Sequence, residues 1–299
     1  MQSRKIAIND TAYVTSYLLE SKISMNTYKN RPALIICPGG SYLFKATKEG
    51  EPVAIEFLSR GYNAFVLNYS TLFPDRESFV NREGQNRHAV YPRQVVELME
   101  TISLVKRNSD TWGIDKNKIF VLGFSAGGHI AGSAGVHWKN GEILQHLSFT
   151  PQAREVRPTG VILCYPMLNG NILKYLRANE NKEIADQYYY TSLAIHGTDT
   201  PEETVINDLD LRQFITPDTP PTFVWHTVED MITKAADTTS FVEKLLQENV
   251  ACEYHLFTKG KHGMGLCNAV AAKNQSDINL SCAQWITLAD LWMKGIIYE

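Results

Sequence analysis

No stretch of this sequence approaches the ~20 consecutive apolar residues that a membrane-spanning helix needs. Its start, Met1-Gln2-Ser3-Arg4-Lys5-Ile6, runs into mixed polar sequence with no apolar core of signal-peptide length. Cysteine is scarce. Cys37, Cys164, Cys252, Cys267 and Cys282 are odd in number and far apart, and no pair has metal-ligand spacing, so neither a disulfide framework nor a metal site is expected. Cys37 and Cys164 lie inside apolar runs, where a free thiol behaves as a small core residue. All five read as reduced thiols of a cytoplasmic protein. Charge of one sign is also lacking: 29 Lys and Arg stand against 32 Asp and Glu, a net charge of −3. That balance argues against nucleic acid or an anionic membrane as an obligatory partner. Repeats, low-complexity tracts and linkers are absent as well, so residues 1–299 are expected to form one domain.

What is present is a series of short apolar runs alternating with helical patterns. Lys5–Asn9 and Ala12–Leu19 read as opening strands joined by a turn at Asn9-Asp10. Ala33–Cys37, Asn63–Tyr69, Ile119–Leu122, Gly160–Pro166 and Pro221–His226 are continuous enough to be buried on both faces, and Ala251–Phe257 alternates as a last strand. Between them, Glu51–Arg60, Tyr91–Asn108 and Thr238–Asn249 carry apolar residues at helical spacing, and Trp285–Met293 closes the chain as a helix. Residues 72–86 are polar and read as an exposed loop, and Asp115–Lys118 reads as a turn. The pattern predicts a mostly parallel sheet with helices on both faces. More than fifty residues after Pro166 show no strand pattern, which suggests a small helical insertion at about 168–215. Whether Tyr188-Tyr189-Tyr190 within it line a pocket stays open at this level.

Ligands of such sheets bind beyond the carboxyl ends of the strands. Four features fall there: the Gly39-Gly40-Ser41 turn, Ser125, the Glu229-Asp230 pair and His262. Gly123-Phe124-Ser125-Ala126-Gly127 fits the G-x-S-x-G pattern in which a strand turns sharply into a helix with the serine at the apex. The pattern alone is common; here a buried strand precedes it and small residues follow it. A serine hydroxyl needs a base to remove its proton, and the base needs an acid to hold its ring. Of eight histidines, only His262 follows the last strand in a glycine-flanked loop (Gly260, Gly263, Gly265). His129 lies on the helix after Ser125 and points along its axis, His226 ends a strand and His255 sits inside one.

Four segments carry a family resemblance: Cys37-Pro38-Gly39-Gly40-Ser41-Tyr42, Gly123-Phe124-Ser125-Ala126-Gly127-Gly128-His129, Thr216 to Thr227, and Gly260-Lys261-His262-Gly263-Met264-Gly265-Leu266. With them the chain resembles the α/β-hydrolase esterases of the acetyl-xylan-esterase type, grouped with feruloyl-esterase-like and xylanase-associated lipases and esterases. The resemblance covers nearly the whole chain. It implies an α/β-hydrolase fold with Ser125 as nucleophile, His262 as base and Asp230 as orienting acid. The backbone N–H groups of Gly40, Ser41 and Ala126 would form the oxyanion hole, and Tyr42, next in the turn, would touch substrate. The expected activity is hydrolysis of short-chain, acetyl-type carboxylic esters through an acyl-enzyme, including esters of acetylated sugars or xylo-oligosaccharides, with no cofactor or metal. Two departures stand out. Relatives usually carry glycine in place of Ser41, and they usually continue after the acid with a Val-Pro pair that Met231-Ile232-Thr233-Lys234 lacks. The alternatives are an amide or peptide hydrolase with the same triad and a hydrolase-fold protein that binds a ligand without turnover. A small-molecule ester is the expected partner, with the oligomeric state open, a homodimer included.

Overall fold

The computed structural model describes residues 1–20, 30–177 and 182–298. Its strands are β1 (Gln2–Ala7), β2 (Tyr13–Leu18), β3 (Arg31–Cys37), β4 (Asn63–Asn68), β5 (Ile114–Phe124), β6 (Gly160–Cys164), β7 (Thr222–Thr227) and β8 (Cys252–Phe257). They join in one sheet in the order β1-β2-β4-β3-β5-β6-β7-β8. β2 pairs antiparallel with both β1 and β4, and every other pairing is parallel. The long helices are α1 (Glu51–Ser59), α2 (Arg93–Arg107), α3 (Ser125–His137), α4 (Lys182–His196), α5 (Ala235–Gln247) and α6 (Trp285–Tyr298).

Strand periodicity splits the core into two layers. Ile35, Val121, Leu163 and Val224 face one side, where α2, α3 and α5 add Leu98, Ile102, Ile130, Ala134 and Phe241. Leu34, Ile36, Leu122, Ile162, Phe223 and Trp225 face the other, against Val53 and Phe57 of α1 and Trp285, Ile286 and Met293 of α6. Covering both faces is what makes the central strands read as unbroken apolar runs. The arrangement is the α/β-hydrolase fold.

Two sequence expectations change. β5 begins at Ile114, so Asp115–Lys118 belongs to the strand rather than to a turn before it. The segment 72–86 is not simply an exposed loop: Leu72 and Phe73 are fully buried. Asp75 then caps a short helix, Arg76–Asn81, by accepting the Ser78 amide at 2.8 Å. Two large apolar side chains anchor a segment whose mean composition is polar. In 168–215 lie the helices Asn171–Arg177, α4 and Glu203–Asn207 and a 3-10 turn, Leu211–Phe214, while residues 178–181 of the expected insertion lie outside the described residues. Leu193, Ile195, Ile206, Leu209 and Leu211 are buried in the same core as α3, so this segment is built into the sheet's helical layer.

No helix among the described residues is long and apolar enough to cross a membrane. All five cysteines are free thiols. The carboxyl ends of β3, β5, β6, β7 and β8 open on one edge of the sheet, and the chemistry-bearing residues gather there.

Candidate active site

β5 passes into α3 at Ser125, whose φ of 51° puts it in the left-handed region that L-residues other than glycine, asparagine and aspartate seldom adopt. The glycines around it make the close approach possible. A Cβ on Gly123 would lie 2.0 Å from the Gly127 carbonyl oxygen, and one on Gly127 would lie 2.1 Å from that of Cys37 in β3. The helix therefore sits directly against the strands and holds the serine up at the sheet edge.

A continuous line of hydrogen bonds runs from that serine. Ser125 Oγ lies 2.8 Å from His262 Nε2, and His262 Nδ1 lies 2.7 Å from Asp230 Oδ2. The carboxylate can only accept, so Nδ1 carries the proton and Nε2 is left to accept from the serine hydroxyl. Asp230 is 2 % exposed, and its other oxygen accepts the amides of Ile232 at 2.8 Å and Thr233 at 3.1 Å. Burial works against its ionisation. Hydrogen bonds from His226, His262 and the Ile232 amide outweigh that cost and hold the carboxyl well below the usual carboxylate range.

Glu229, the neighbouring acid, points elsewhere: it is exposed and accepts the Gly260 amide at 3.1 Å, at the root of the His262 loop. Two residues unassigned in the sequence reading complete the surroundings of Asp230. His226, fully buried, approaches Asp230 Oδ2 at 3.2 Å through Nε2, which also meets the Thr233 carbonyl at 3.0 Å. Both are acceptors, so Nε2 carries the proton and Nδ1 accepts from the Thr238 hydroxyl at 2.8 Å. Thr233 Oγ1 lies 3.2 Å from Asp230 Oδ2 and 3.1 Å from the Tyr165 carbonyl. Thr233 stands within the Met231–Lys234 stretch that lacks the usual Val-Pro pair. No spacing rule links His226 or Thr233 to the serine, since the contacts arise only when the β7 loop folds back.

The turn after β3 curls tightly. Gly40, Ser41 and Tyr42 have φ of 129°, 58° and 63°, and the amides of Leu43 and Phe44 return to the Gly40 carbonyl. The amides of Gly40 and Ser41 donate to no group among the described residues. Ala126 follows Ser125 in the first turn of α3, where backbone N–H groups have no partner within the helix. Tyr42 requires a correction. Its side chain is 0 % exposed and its hydroxyl lies 2.8 Å from His129 Nδ1, so it packs beneath the turn instead of facing a substrate. The left-handed conformation at Ser41 and Tyr42 turns that ring inward. His129 is held there too, its Nε2 3.0 Å from the Leu209 carbonyl, and burial pushes its pKa down to about 4. It is a neutral core histidine.

Ser125 and His262 open on a cleft of about 650 Å³. Most side chains of its wall are polar or charged, among them Lys45, Arg76, Gln187, Lys261 and Asn274; Phe44 and Ile232 are its large apolar members. Tyr188–Tyr190 are not among the cleft's lining. Tyr190 packs edge-on against Phe73 and Phe79, with Arg82 4.2 Å over its ring.

The family model described as BD-FAE matches residues 22–245. Among curated relatives, endo-1,4-beta-xylanase B of Butyrivibrio fibrisolvens is 29% identical over 240 residues, 80% of this chain but 33% of that protein. The chain spans half or less of the length of each curated relative it matches. Solved structures align end to end. The carboxylesterase Cest-2923 of Lactobacillus plantarum has a TM-score of 0.78 at 26% identity, covering 99% of this chain and 98% of the other. An acetyl ester-xyloside bifunctional hydrolase of Caldicellulosiruptor lactoaceticus has a TM-score of 0.71 at 27% identity, with 98% and 96% covered.

Proposed function

The chain belongs to the BD-FAE family, and on that premise we propose that it is a serine esterase that cleaves short-chain carboxylic esters by acyl transfer. The observation that carries this reading is the line Ser125 Oγ, His262 Nε2, His262 Nδ1, Asp230 Oδ2, with both links under 3 Å. His262 takes the serine proton as Oγ attacks the ester carbonyl. The amides of Gly40, Ser41 and Ala126 receive the oxygen that becomes negative. His262 then protonates the leaving alcohol, the acyl group stays on Ser125, and water repeats the sequence to release the acid. Asp230 stays ionised throughout, fixing the imidazole tautomer and balancing the imidazolium.

The make-up of the cleft supports a substrate class. A wall rich in ammonium, amide and carboxylate groups suits a hydroxylated alcohol, and two large apolar side chains offer little to a long acyl chain. Acetyl esters of sugars or xylo-oligosaccharides fit this description, in keeping with the names of the bifunctional hydrolase and xylanase relatives. The test is a fluorophosphonate label followed by peptide mapping. The label should fall on Ser125, and Ser125→Ala should lose both labelling and about 10⁶ of turnover while keeping its Tm. A well-folded Ser125→Ala that retains a few per cent of activity would sink the assignment.

A further inference from the structure

Behind the turn that holds Gly40 and Ser41 lies a buried carboxylate that the mechanism above does not use. Glu49 is 3 % exposed and makes no ion pair among the described residues. Its Oε2 accepts the Gly39 amide at 2.8 Å, and its Oε1 accepts the Tyr165 hydroxyl at 2.6 Å. That hydroxyl in turn accepts the Gly265 amide at 2.9 Å. The donors run toward Glu49, and both its oxygens accept. A protonated carboxyl could donate only to the Tyr165 hydroxyl, whose own hydrogen would then lose this partner. Hydrogen bonding from Tyr165 and the Gly39 amide thus favours the ionised form, while burial, the larger influence, pushes the carboxyl's pKa up. An unpaired buried charge costs several kcal/mol, and a residue that only filled this space would serve the fold better if apolar.

Each end of the chain touches a part of the reaction centre. Gly39 immediately precedes the two amides of the oxyanion turn. A Cβ on Gly39 would lie 2.8 Å from Glu49 Oε2 and 3.1 Å from Ser125 Cβ, so only the thickness of a glycine separates carboxylate from nucleophile. The Tyr165 ring packs edge-on against His262, with centroids 5.0 Å apart. Gly265 stands three residues beyond His262 in the same loop.

We infer that Glu49 is a positioning residue for the reaction proposed above, locking the oxyanion turn to the His262 loop through Tyr165. The inference rests on the ester-hydrolysis reading. Glu49 fixes the direction of the Gly40 and Ser41 amides from behind, and Tyr165 passes the same constraint to the ring of His262. The turn and the loop come from distant parts of the chain, and this one carboxylate gives them a common anchor. No proton moves through Glu49 during turnover.

The test compares Glu49→Gln, Tyr165→Phe and the double variant with the parent, on phenyl acetate. Turnover is counted per site titrated by fluorophosphonate, alongside Tm and the affinity of a trifluoromethyl ketone whose oxyanion occupies the same amides. Glu49→Gln keeps the size and an acceptor for Gly39 but removes the charge. Tyr165→Phe keeps the ring against His262 and removes one oxygen. Each should lower kcat per titrated site by about 10- to 100-fold, short of the ~10²–10³ that loss of a whole oxyanion donor costs, with KM nearly unchanged. Ketone affinity should fall in parallel, and the double variant should lose little more than the worse single one. A lowered Tm with parental kcat per site and parental ketone affinity would reduce Glu49 to a purely structural role and overturn the inference, as would a loss confined to KM. Should Glu49→Gln not fold, Tyr165→Phe decides alone. A parent that neither hydrolyses esters nor labels at Ser125 would sink the reaction reading itself, whereas an active parent with unaffected variants sinks only the role of Glu49.

Discussion

Ser41 adopts φ 58°, a conformation in which an L-residue pays about 1 kcal/mol or more and glycine pays nothing. This explains why glycine is usual at the position and why a serine can stand there: the N–H is the same in both. Ser41→Gly relieves the strain but gives the unfolded chain more freedom, two effects of about 1 kcal/mol that oppose each other. The variant should keep its Tm within a few degrees and its kcat within a few-fold. A hundredfold drop in kcat would assign the work to the hydroxyl. The acid pair separates in the same way. Asp230→Asn keeps the shape but favours the wrong imidazole tautomer, a change that costs about 10⁴ in a comparable triad. Glu229→Gln retains an oxygen for the Gly260 amide and should stay within a few-fold; the reverse pattern in kcat would move the triad acid to Glu229. Asp230 also links stability to pH. Its folded pKa lies below the unfolded value of about 3.9. Its ionisation therefore stabilises the fold fully above that value, and the contribution fades as pH falls below it. The Tm deficit of Asp230→Asn should be largest near neutrality and shrink in buffers below about pH 4.

Between residue and fold, the strand-turn-helix unit from β5 to α3 sets the position of Ser125. Its tolerance to a methyl group depends on what the methyl meets. At Gly127 it meets the backbone carbonyls of Cys37 and Pro38 at 2.1 and 2.4 Å, neither of which can move without displacing β3. Gly127→Ala should cost about 3 kcal/mol or more, the upper end of overpacking, and should abolish activity as Ser125 shifts. At Gly295, exposed on α6, a Cβ meets nothing within 4 Å. Gly295→Ala should stabilise by about 1 kcal/mol, as expected for a helix interior. Equal Tm changes in the two variants would mean that the elbow is not held by contact with β3. The contrast was half legible beforehand: the G-x-S-x-G pattern marks where close approach occurs, but not which backbone is approached.

At the scale of the whole molecule, the two-layered core fills the protein and leaves the cleft at the carboxyl edge of the sheet as the place where substrate can meet Ser125. The polar make-up of that wall predicts a steep dependence on acyl length. Across p-nitrophenyl esters from C2 to C12, kcat/KM should be highest for acetate and fall with each added pair of methylenes. Comparable values at C2 and C12 would contradict the short-acyl reading. The segment 168–215 shapes this cleft through Gln187, while Tyr190 packs against Phe73 and Phe79 of the 72–86 segment.

The sequence by itself determined the order of strands and helices, the apex serine, and the histidine and acid pair that follow it, because these are local patterns. Buried strands are apolar runs, tight turns need glycine, and a triad keeps its order along the chain. Only the tertiary structure decided which partners those residues have. Tyr42 adjoins the oxyanion turn in sequence, yet it is fully buried with its hydroxyl on His129. Glu49 accepts from Gly39 and, across 116 residues, from Tyr165, and Ser125 meets His262 across 137. Such contacts leave no period or spacing in the sequence. They exist because a parallel sheet brings the ends of distant strands to one edge, where buried polar groups must find whatever partners the loops supply.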